Sequence, residues 1–389
     1  MLDYPFNASE GLAIAERYRE VQAEPGLVRV RMPYGEPGWL VTRYAEARAV
    51  LGDPRFSRAE ALRRDPPSTQ PARANKGLLT MDAPGHTRLR RLAAKAFTPK
   101  RVEQLRPWLR DYVGELLDAM IQAGPPAELV GALALPLPVG VICELLGVPV
   151  QDRERFRRWS DDALSTSGLT TEQWLASRAE LEDYLAGLIA AHRERPRDDL
   201  MSAFIEARED EDRLTEDEMI GLCAGILIAG HETTATQIPN FVSVLLGERE
   251  QWEQLCADPE LIPAAVEELM RFVPLGTSGN SARYATEDVV VGETRVRAGE
   301  PVVVAVSAAN RDRGWFSDAD RLDLDRAEGG HLGFGHGAHF CLGAALARAE
   351  LQVALHGLTT RLPGLRLAGE ITWKSGLIVR GPSALAVEW

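Results

Sequence analysis

The sequence has no apolar run long enough to cross a membrane. Its most apolar stretch, residues 219–229, ends at a Gly-His-Glu sequence, well short of the roughly 20 residues that a spanning helix needs. The N-terminal segment contains no basic region followed by an apolar one, so it does not have the pattern of a signal peptide. We therefore expect a cytoplasmic protein that has no membrane partner.

The sequence is also poor in cysteine. Its four cysteines are far apart and form no C-x-x-C pair, and without a sign of secretion a disulfide framework is not expected. Cys143, Cys223 and Cys256 lie in apolar or helical stretches, which is typical of buried thiols. Cys341 differs from them because it lies among glycines and histidines.

Basic residues are fewer than acidic residues in this sequence. The chain carries 44 basic and 57 acidic residues, a net charge of −13, which argues against nucleic acid as a partner because phosphate binding needs a basic surface. One stretch is an exception, since residues 88–110 contain eight arginines and lysines. Such a run is either a solvated helix face or a docking surface for an acidic partner.

Hydrophobic periodicity predicts a mainly helical protein with small β-sheets. The longest helix candidate spans residues 215–250, where Thr215 and Glu218 form a capping box. Period-two stretches predict a hairpin before residue 42 and further strands after residue 280, and a strand-like tail ends the sequence. The 389 residues show no internal repeat and no obvious linker, so we expect one large domain over residues 1–389.

The stretch HLGFGHGAHFCLG, residues 331–343, combines one cysteine with four glycines and three histidines. A cysteine just before a helix lies near unsatisfied N–H groups, which favour the thiolate that ligates metals. Glycines allow the loop to lie close against a flat group. Zinc needs about four protein ligands, whereas a haem iron needs one from a cysteine because the porphyrin supplies the others. A single cysteine therefore suffices for a haem iron, and a buried structural thiol stays open as the alternative for Cys341.

The same stretch resembles the haem-binding loop of the cytochrome P450 monooxygenases. That loop follows the pattern F-G-x-G-x-[HR]-x-C-x-G, and residues 334–343 match every fixed position. AGHETT at residues 229–234 is similar to the family's oxygen-binding A-G-x-[DE]-T-T, and EELMR at residues 267–271 to its E-x-x-R helix. Arg326 falls where the family has the third member of the E-x-x-R ion-pair cluster. The resemblance covers essentially the whole chain, especially to bacterial members that modify actinomycete natural products.

The resemblance implies the cytochrome P450 fold, with a long central helix that crosses over the haem. It implies heme b, iron protoporphyrin IX, as the cofactor and Cys341 as the ligand of its iron. Further cofactor contacts are implied from the loop and the long helix: Phe334, Gly335, Gly343, Ala229 and Gly230. Four basic side chains are implied as partners of the haem propionates, the alternative for each being a solvated surface: His86, Arg90, Arg283 and His339.

The resemblance assigns the catalytic roles to Glu232 and Thr233. The family uses an acid–alcohol pair at these positions to deliver protons to dioxygen. The alternative is a polar insertion whose hydroxyl bonds back to the helix, although a carboxylate in an apolar helix is costly to bury without a use. Glu268, Arg271 and Arg326 are implied as a structural cluster outside the catalytic site.

These motifs together predict a haem-dependent monooxygenase that hydroxylates or epoxidises a bulky secondary metabolite such as a macrolide or another polyketide. The resemblance implies a pocket lined by residues 58–80, 226–233 and 274–280 and by the tail near Leu377. The loop 58–80 is expected to act as a polar, mobile lid, with four arginines: Arg58, Arg63, Arg64 and Arg73. Oxidative C–C coupling of a cyclodipeptide or aromatic peptide stays open as an alternative.

The expected partners follow from the same resemblance. The chain shows no flavin or iron–sulfur domain, so electrons are expected from an external ferredoxin and its ferredoxin reductase, with residues 88–110 as the candidate docking surface. A monomer is expected. A peroxide-driven or isomerising enzyme usually lacks the acid–alcohol pair, and a haem-binding sensor needs an output domain, so these two alternatives fit the motifs less well.

Overall fold

A computed structural model describes residues 1–7, 11–70, 77–95, 97–166, 169–197, 199–209, 214–276 and 282–389. Two parts of the expected pocket lining, residues 71–76 with Arg73 and residues 277–280, lie outside these described residues.

Helices make up most of the described chain, as the sequence predicts. The α-helices are α1 (Arg17–Ala23), α2 (Tyr44–Gly52), α3 (Gly85–Ala94), α4 (Pro99–Ala123), α5 (Pro136–Leu146), α6 (Arg153–Leu164), α7 (Thr171–Glu194), α8 (Leu200–Glu209), α9 (Glu216–Gly247), α10 (Arg249–Ala257), α11 (Ile262–Phe272), α12 (Val306–Ala309) and α13 (Ala344–Arg361). Short 3₁₀ turns lie at Ala59–Arg63, Leu78–Thr80, Val150–Asp152, Pro259–Leu261 and Gly337–His339, and a π-helical turn lies at Val130–Ala134.

The strands form small sheets around the helices. They are β1 (Leu2–Asp3), β2 (Val28–Arg31), β3 (Gly38–Val41), β4 (Phe56–Ser57), β5 (Ala127–Glu128), β6 (Arg283–Ala285), β7 (Val289–Val291), β8 (Thr294–Val296), β9 (Pro301–Val304), β10 (Arg366–Leu367), β11 (Thr372–Trp373), β12 (Pro382–Ala384) and β13 (Ala386–Glu388). The mixed sheet has the order β1-β2-β3-β9-β6-β4, and smaller sheets pair β10-β13-β5, β11-β12 and β7-β8. The predicted hairpin is β2–β3, in which Val28 pairs with Leu40 and Val30 with Gly38.

Helix α9 is the long helix that the sequence predicts. The Thr215 hydroxyl accepts a hydrogen bond from the Glu218 N–H at 3.1 Å, and the Glu218 carboxylate accepts one from the Thr215 N–H at 3.0 Å, so the capping box is confirmed. Most side chains of α9 are buried, and the helix packs against α5, α7 and α13. Over the described part of the chain, none of the helices has the length and apolar character that crossing a membrane requires.

The apolar side chains form one main core and two smaller clusters. The main core joins residues from Leu89 in α3 to Val387 in β13 and includes the apolar side chains of α9. The smaller clusters combine side chains of the mixed sheet with those of α2 and α1. Because α9 lies within the main core, its polar residues are removed from bulk water unless they face an opening.

Helix α11 carries the ion-pair cluster that the resemblance implies. Arg271 makes two hydrogen bonds to the carboxylate of Glu268, at 2.7 and 2.8 Å, and Arg326 Nε lies 3.1 Å from both oxygens of that carboxylate. Arg271 also donates to the backbone carbonyls of Asn310 and Ala319 at 2.8 Å. The prediction is confirmed, and the cluster joins α11 to the segment that leads into the cysteine loop.

Candidate active site

The cysteine loop ends where α13 begins. The Cys341 N–H donates to the Phe334 carbonyl at 2.8 Å, and Phe334 is buried under the guanidinium of Arg348, whose Cζ lies 4.4 Å from the ring centre. Gly335 has a φ of 74° and Gly337 a φ of 70°, a region that residues with side chains rarely adopt. These two glycines give the loop the backbone path that brings Cys341 to the N-terminus of α13.

The thiol of Cys341 is exposed, although protein atoms surround the residue on most sides. This crowding raises the pKa of the thiol, while a hydrogen bond from the Gly343 backbone and the charges of Arg90 and Arg348 act in the opposite direction. The net direction of the shift in the pKa of this thiol is upward. Metal ligation deprotonates a cysteine thiol, and an exposed sulfur beside two arginines suits that role.

A hydrogen-bonded group that the sequence analysis missed lies behind the loop. Both terminal oxygens of Glu267 accept hydrogen bonds from Arg348, at 2.6 and 2.8 Å, and His331 Nε2 lies 3.1 Å from the same carboxylate. Burial opposes ionisation of Glu267, but the bonds from Arg348 and His331 outweigh it and lower its pKa to about 2. The Glu267 carboxylate thus connects α11 to both ends of the loop. Arg348 is 81 residues from Glu267 in the chain, so no local sequence pattern indicates this contact.

One side of α9 opens onto free space, although the helix lies in the core. Gly225 and Ala229 are exposed and Thr233 is half-buried, whereas Ala224, Ile226 and other neighbouring residues are buried. Positions four apart share one helix face, so these residues define the open face of α9: Gly225, Ala229 and Thr233. Their small side chains leave room for a ligand beside the helix.

Gly230, which the resemblance implies as a cofactor contact, packs closely against α5. A Cβ atom at this position would lie 2.4 Å from Cδ1 and 3.0 Å from Cγ1 of Ile142 in α5. Close packing of α5 on α9 therefore accounts for this glycine in the structure. By contrast, a Cβ at Gly225 would have no heavy atom within 4 Å.

The acid and the alcohol are adjacent in sequence but have different partners. The Thr233 hydroxyl donates to the Ala229 carbonyl at 3.0 Å, as the alternative of back-bonding anticipates. Glu232 is buried, and its Oε1 accepts a hydrogen bond from Thr236 at 3.1 Å and one from Lys374 Nζ at 2.5 Å. The partner Lys374 comes from the C-terminal hairpin and was not a candidate in the sequence analysis.

Five basic side chains lie close together near the cysteine loop, and three of them, Arg58, His86 and Arg283, are buried. This basic cluster consists of Arg58, His86, Arg90, Arg283 and His339. The rings of His86 and His339 are 4.3 Å apart, and the Arg90 guanidinium donates to the Phe340 carbonyl at 2.5 Å. Burial, Arg58, His86 and Arg283 lower the pKa of His339 to about 3. The four residues that the resemblance implies as propionate partners are therefore brought together.

Arg58 is the member of the basic cluster that the sequence analysis placed elsewhere. The side chain is buried rather than exposed on a lid, and its Nε donates to the Leu79 carbonyl at 2.8 Å. Burial and the charge of Arg283 lower the pKa of Arg58 to about 9, and Asp82 opposes that effect. A buried arginine inside a loop of arginines has no signal in the sequence that distinguishes it from its neighbours.

The basic cluster fits a cofactor with anionic groups. Buried like charges repel one another and are stabilised by a bound anion, and His86 Nε2 is buried with no hydrogen-bond partner among the described residues. The carboxylates of the haem propionates are such anions, and the exposed thiol of Cys341 is a ligand for iron. The residues present therefore suit a haem bound between the open face of α9 and the cysteine loop.

Main-chain hydrogen bonds join two parts of the expected pocket lining, residues 275–276 and the tail around Leu377, with the end of α6. They run from Thr166 N to Gly376 O (2.7 Å), from Ile378 N to Leu164 O (3.1 Å) and from Arg380 N to Leu275 O (2.7 Å). The end of α6, residues 275–276 and the segment 376–380 consequently lie side by side.

Comparisons with known proteins agree with this geometry. A family model for cytochrome P450 matches residues 240–361. Mycinamicin IV hydroxylase/epoxidase from Micromonospora griseorubida is 52% identical over 389 residues, which cover 99% of this chain and 98% of the relative.

Solved structures resemble the whole chain. A variant of the mixed-function P450 MycG in complex with mycinamicin IV superposes with a TM-score of 0.93 at 52% identity, covering 100% of this chain and 99% of that chain. Cytochrome P450mel 107F1, described as having biaryl coupling reactivity, superposes with a TM-score of 0.95 at 38% identity, covering 100% of both chains.

Proposed function

The chain belongs to the cytochrome P450 family of haem-iron monooxygenases, and from this premise we propose that it hydroxylates or epoxidises a bulky natural product of the macrolide class. The observation that carries the proposal is the open face of α9, where Gly225, Ala229 and Thr233 leave space beside Glu232. A relative that is 52% identical over nearly its whole length is a hydroxylase/epoxidase of mycinamicin IV, which supports a substrate of this class.

We propose heme b as the form of the cofactor. Cys341 would ligate its iron, the basic cluster would bind its propionates, and further contacts would come from the loop and from α9: Phe334, Gly335, Gly343, Ala229 and Gly230. When bound, the haem activates dioxygen and inserts one oxygen atom into the substrate. The protein binds and orients the cofactor and the substrate.

Glu232 and Thr233 are proposed to move the protons that oxygen activation consumes. The Thr233 hydroxyl lies on the open face, where a bound ligand would contact it directly, and Glu232 is the next residue along α9. A hydroxyl donates a proton to the reacting oxygen and recovers one from a neighbouring acid, which is general acid catalysis through two groups. Rotation of the Thr233 side chain away from the Ala229 carbonyl makes its proton available for this step.

Electrons are proposed to come from an external ferredoxin reduced by a ferredoxin reductase. Five basic residues of the stretch 88–110 are exposed: Arg91, Lys95, Lys100, Arg101 and Arg110. Arg90 of the same stretch contacts Phe340, the neighbour of Cys341, so an acidic protein docked on this stretch would lie close to the iron ligand. Reduction by ferredoxin is expected to slow as ionic strength rises, and a rate independent of salt would contradict the docking surface.

Oxidative coupling of a cyclodipeptide or aromatic peptide is the second candidate activity. It is supported by the superposition on P450mel 107F1, which has biaryl coupling reactivity. Mass spectrometry of the product separates the two candidates, because hydroxylation and epoxidation add one oxygen atom whereas coupling removes two hydrogen atoms.

Two measurements test the proposed function. The purified protein is reduced and exposed to carbon monoxide, and a strongly red-shifted Soret band is expected from a thiolate-ligated haem. Macrolactones and cyclodipeptides are then titrated into the ferric protein, and substrates are identified by conversion of low-spin to high-spin iron. A Soret band at the position typical of histidine ligation, or no haem band, would contradict the proposal.

Three further expectations stay predictions. We propose that residues 1–389 form one domain, because the main apolar core joins residues from Leu89 to Val387. A monomer and a cytoplasmic location follow from the sequence analysis, and gel filtration and cell fractionation test them.

A further inference from the structure

A buried ion pair ties the acid of α9 to the C-terminal hairpin. Lys374 Nζ lies 2.5 Å from Glu232 Oε1, and the two side chains are only 10% and 2% exposed. Lys374 Nζ also donates to the Thr236 hydroxyl at 2.8 Å, and that hydroxyl donates to Glu232 Oε1 at 3.1 Å. The three side chains therefore form a closed ring of hydrogen bonds, in which both bonds to the carboxylate fall on the same oxygen.

This ring draws the acid away from its neighbour on the open face. Thr236 lies one helical turn beyond Glu232, whereas the Thr233 hydroxyl is bonded to the Ala229 carbonyl. We propose that Lys374 is the positioning residue of the proton-delivering acid: it holds the Glu232 carboxylate beside Thr236, away from Thr233, until the carboxylate takes up a proton from solvent and passes it to the Thr233 hydroxyl. This inference rests on the proposed function, because it takes Glu232 as the proton-delivering group.

The surrounding charges leave Lys374 as the cation in contact with Glu232 among the described residues. Helix α6 contributes Asp161 near the pair and Arg157, whose Nε lies 4.0 Å from the Asp161 carboxylate, and α9 adds His231. Burial and the charge of Glu232 raise the pKa of Asp161, and burial lowers the pKa of His231 and so favours its neutral form. Neither Asp161 nor His231 compensates the Glu232 carboxylate, so loss of Lys374 leaves it, among the described residues, with the hydrogen bond from Thr236 but without a cation in contact.

The position of Lys374 also connects the acid to the wall of the expected pocket. The Lys374 N–H donates to the Gly381 carbonyl at 2.8 Å, at the base of the segment 376–380 that is bonded to α6 and to residues 275–276. Lys374 lies two residues before this segment, and Gly381 directly follows it. The proton-delivering acid and the substrate-lining tail are thus held by the same piece of chain.

The test compares Lys374→Met with Lys374→Arg in the holoenzyme supplied with ferredoxin, reductase and a macrolactone that gives the spin-state change. Oxygen consumed, hydrogen peroxide released and product formed are measured together. We expect Lys374→Met to lower the product formed per oxygen consumed by about tenfold, a part of the roughly 10²–10⁴-fold that positioned acid–base groups contribute. Lys374→Arg, which keeps the charge, is expected to restore most of the product yield.

A second readout does not depend on turnover. Infrared difference spectra of the ferric holoenzyme at neutral pH are expected to show a protonated carboxyl group in Lys374→Met that is absent from the wild type and from Lys374→Met/Glu232→Gln, because an unpaired buried carboxylate takes up a proton. The absence of this band, together with wild-type product yield in Lys374→Met, would overturn the proposal. A positioning role that is merely structural would lower stability without producing the band.

Two controls keep the outcomes separate. Thr236→Val keeps both charges and removes one hydrogen bond to Glu232 Oε1, so a smaller loss of product yield is expected. If Lys374→Met does not fold, this variant is the test instead. Wild-type product yield in Thr236→Val would then overturn the proposal. The carbon monoxide spectrum is recorded for each variant. A thiolate-type band with unchanged product yield in Lys374→Met refutes the role of Lys374 alone, whereas a wild-type protein without that band refutes the proposed function itself.

Discussion

Substitution of Gly230 by alanine separates two explanations for a glycine in the middle of α9. The resemblance implies a contact with the cofactor, whereas the structure brings Ile142 of α5 so close that a Cβ at position 230 would lie 2.4 Å from its Cδ1 and 3.0 Å from its Cγ1. Carbon atoms in contact are normally about 3.5–4.0 Å apart, so the side chain of Ile142 must move when Gly230→Ala is made.

The expected size of the effect follows from two opposing contributions. Overpacking a buried site costs about 1–3 kcal/mol, and Ile142 is only 3% exposed. Replacing a glycine inside a helix by alanine stabilises the helix by about 1 kcal/mol. The net loss for Gly230→Ala is then about 0–2 kcal/mol, while Gly225→Ala, whose Cβ meets no heavy atom within 4 Å, is expected to gain stability.

A double-mutant cycle with Ile142→Val measures the contact itself. Valine lacks the Cδ1 atom that the new Cβ would meet, so Gly230→Ala is expected to be tolerated better in the Ile142→Val background, with a coupling free energy of about 1–3 kcal/mol. Urea unfolding of the four holoproteins, followed by circular dichroism, gives this value, and Gly225→Ala is the matched control. Additive effects of the two substitutions, combined with impaired carbon monoxide binding in Gly230→Ala, would refute the packing explanation.

Three other substitutions test the remaining parts of the site. Thr233→Ala removes the hydroxyl on the open face and is expected to keep oxygen consumption while most of the oxygen appears as hydrogen peroxide; a fully coupled variant would remove Thr233 from proton delivery. Arg58→Met takes one charge from the basic cluster and is expected to speed the loss of haem to an excess of an apo-haemoprotein acceptor, whereas Arg55→Met, at an exposed ion pair, is expected to leave that rate unchanged. Glu267→Gln is expected to lower the free energy of unfolding at neutral pH by about 1–2 kcal/mol, a value reduced for the partial exposure of the pair. Because the pKa of Glu267 is about 2 in the folded protein and about 4.3 in an unfolded chain, this difference should be full above the unfolded value and shrink as the pH falls towards 2, and a difference independent of pH would contradict the ion pair with Arg348.

Local signals explain why much of the fold was predictable from the sequence. The N-terminus of α9 was predicted because Thr215 and Glu218 make their contacts within one helical turn. The Glu268–Arg271 pair is also local, and the resemblance supplied its distant partner Arg326.

The missed contacts are those between residues far apart in the chain. Lys374 is 142 residues from Glu232, and neither its hairpin nor the apolar sequence of α9 indicates the other. Arg58 was assigned to a lid because its neighbours are polar, and only the fold reveals that it turns inward to the basic cluster. Gly230 was interpreted from the motif around it, whereas its closest neighbour, Ile142, belongs to another helix.

The main-chain hydrogen bonds that join the segments of the pocket wall affect how such an enzyme acquires new substrates. The end of α6, residues 275–276 and the segment 376–380 are held together by amide groups, which every residue except proline carries in full. Side chains on these segments are therefore free to vary over evolutionary time without loosening the frame that presents them. Enzymes built in this way diversify by single substitutions at the wall, and directed evolution of this protein towards a new ring system is best started at residues 164–166 and 376–379 rather than by changing the lengths of the segments.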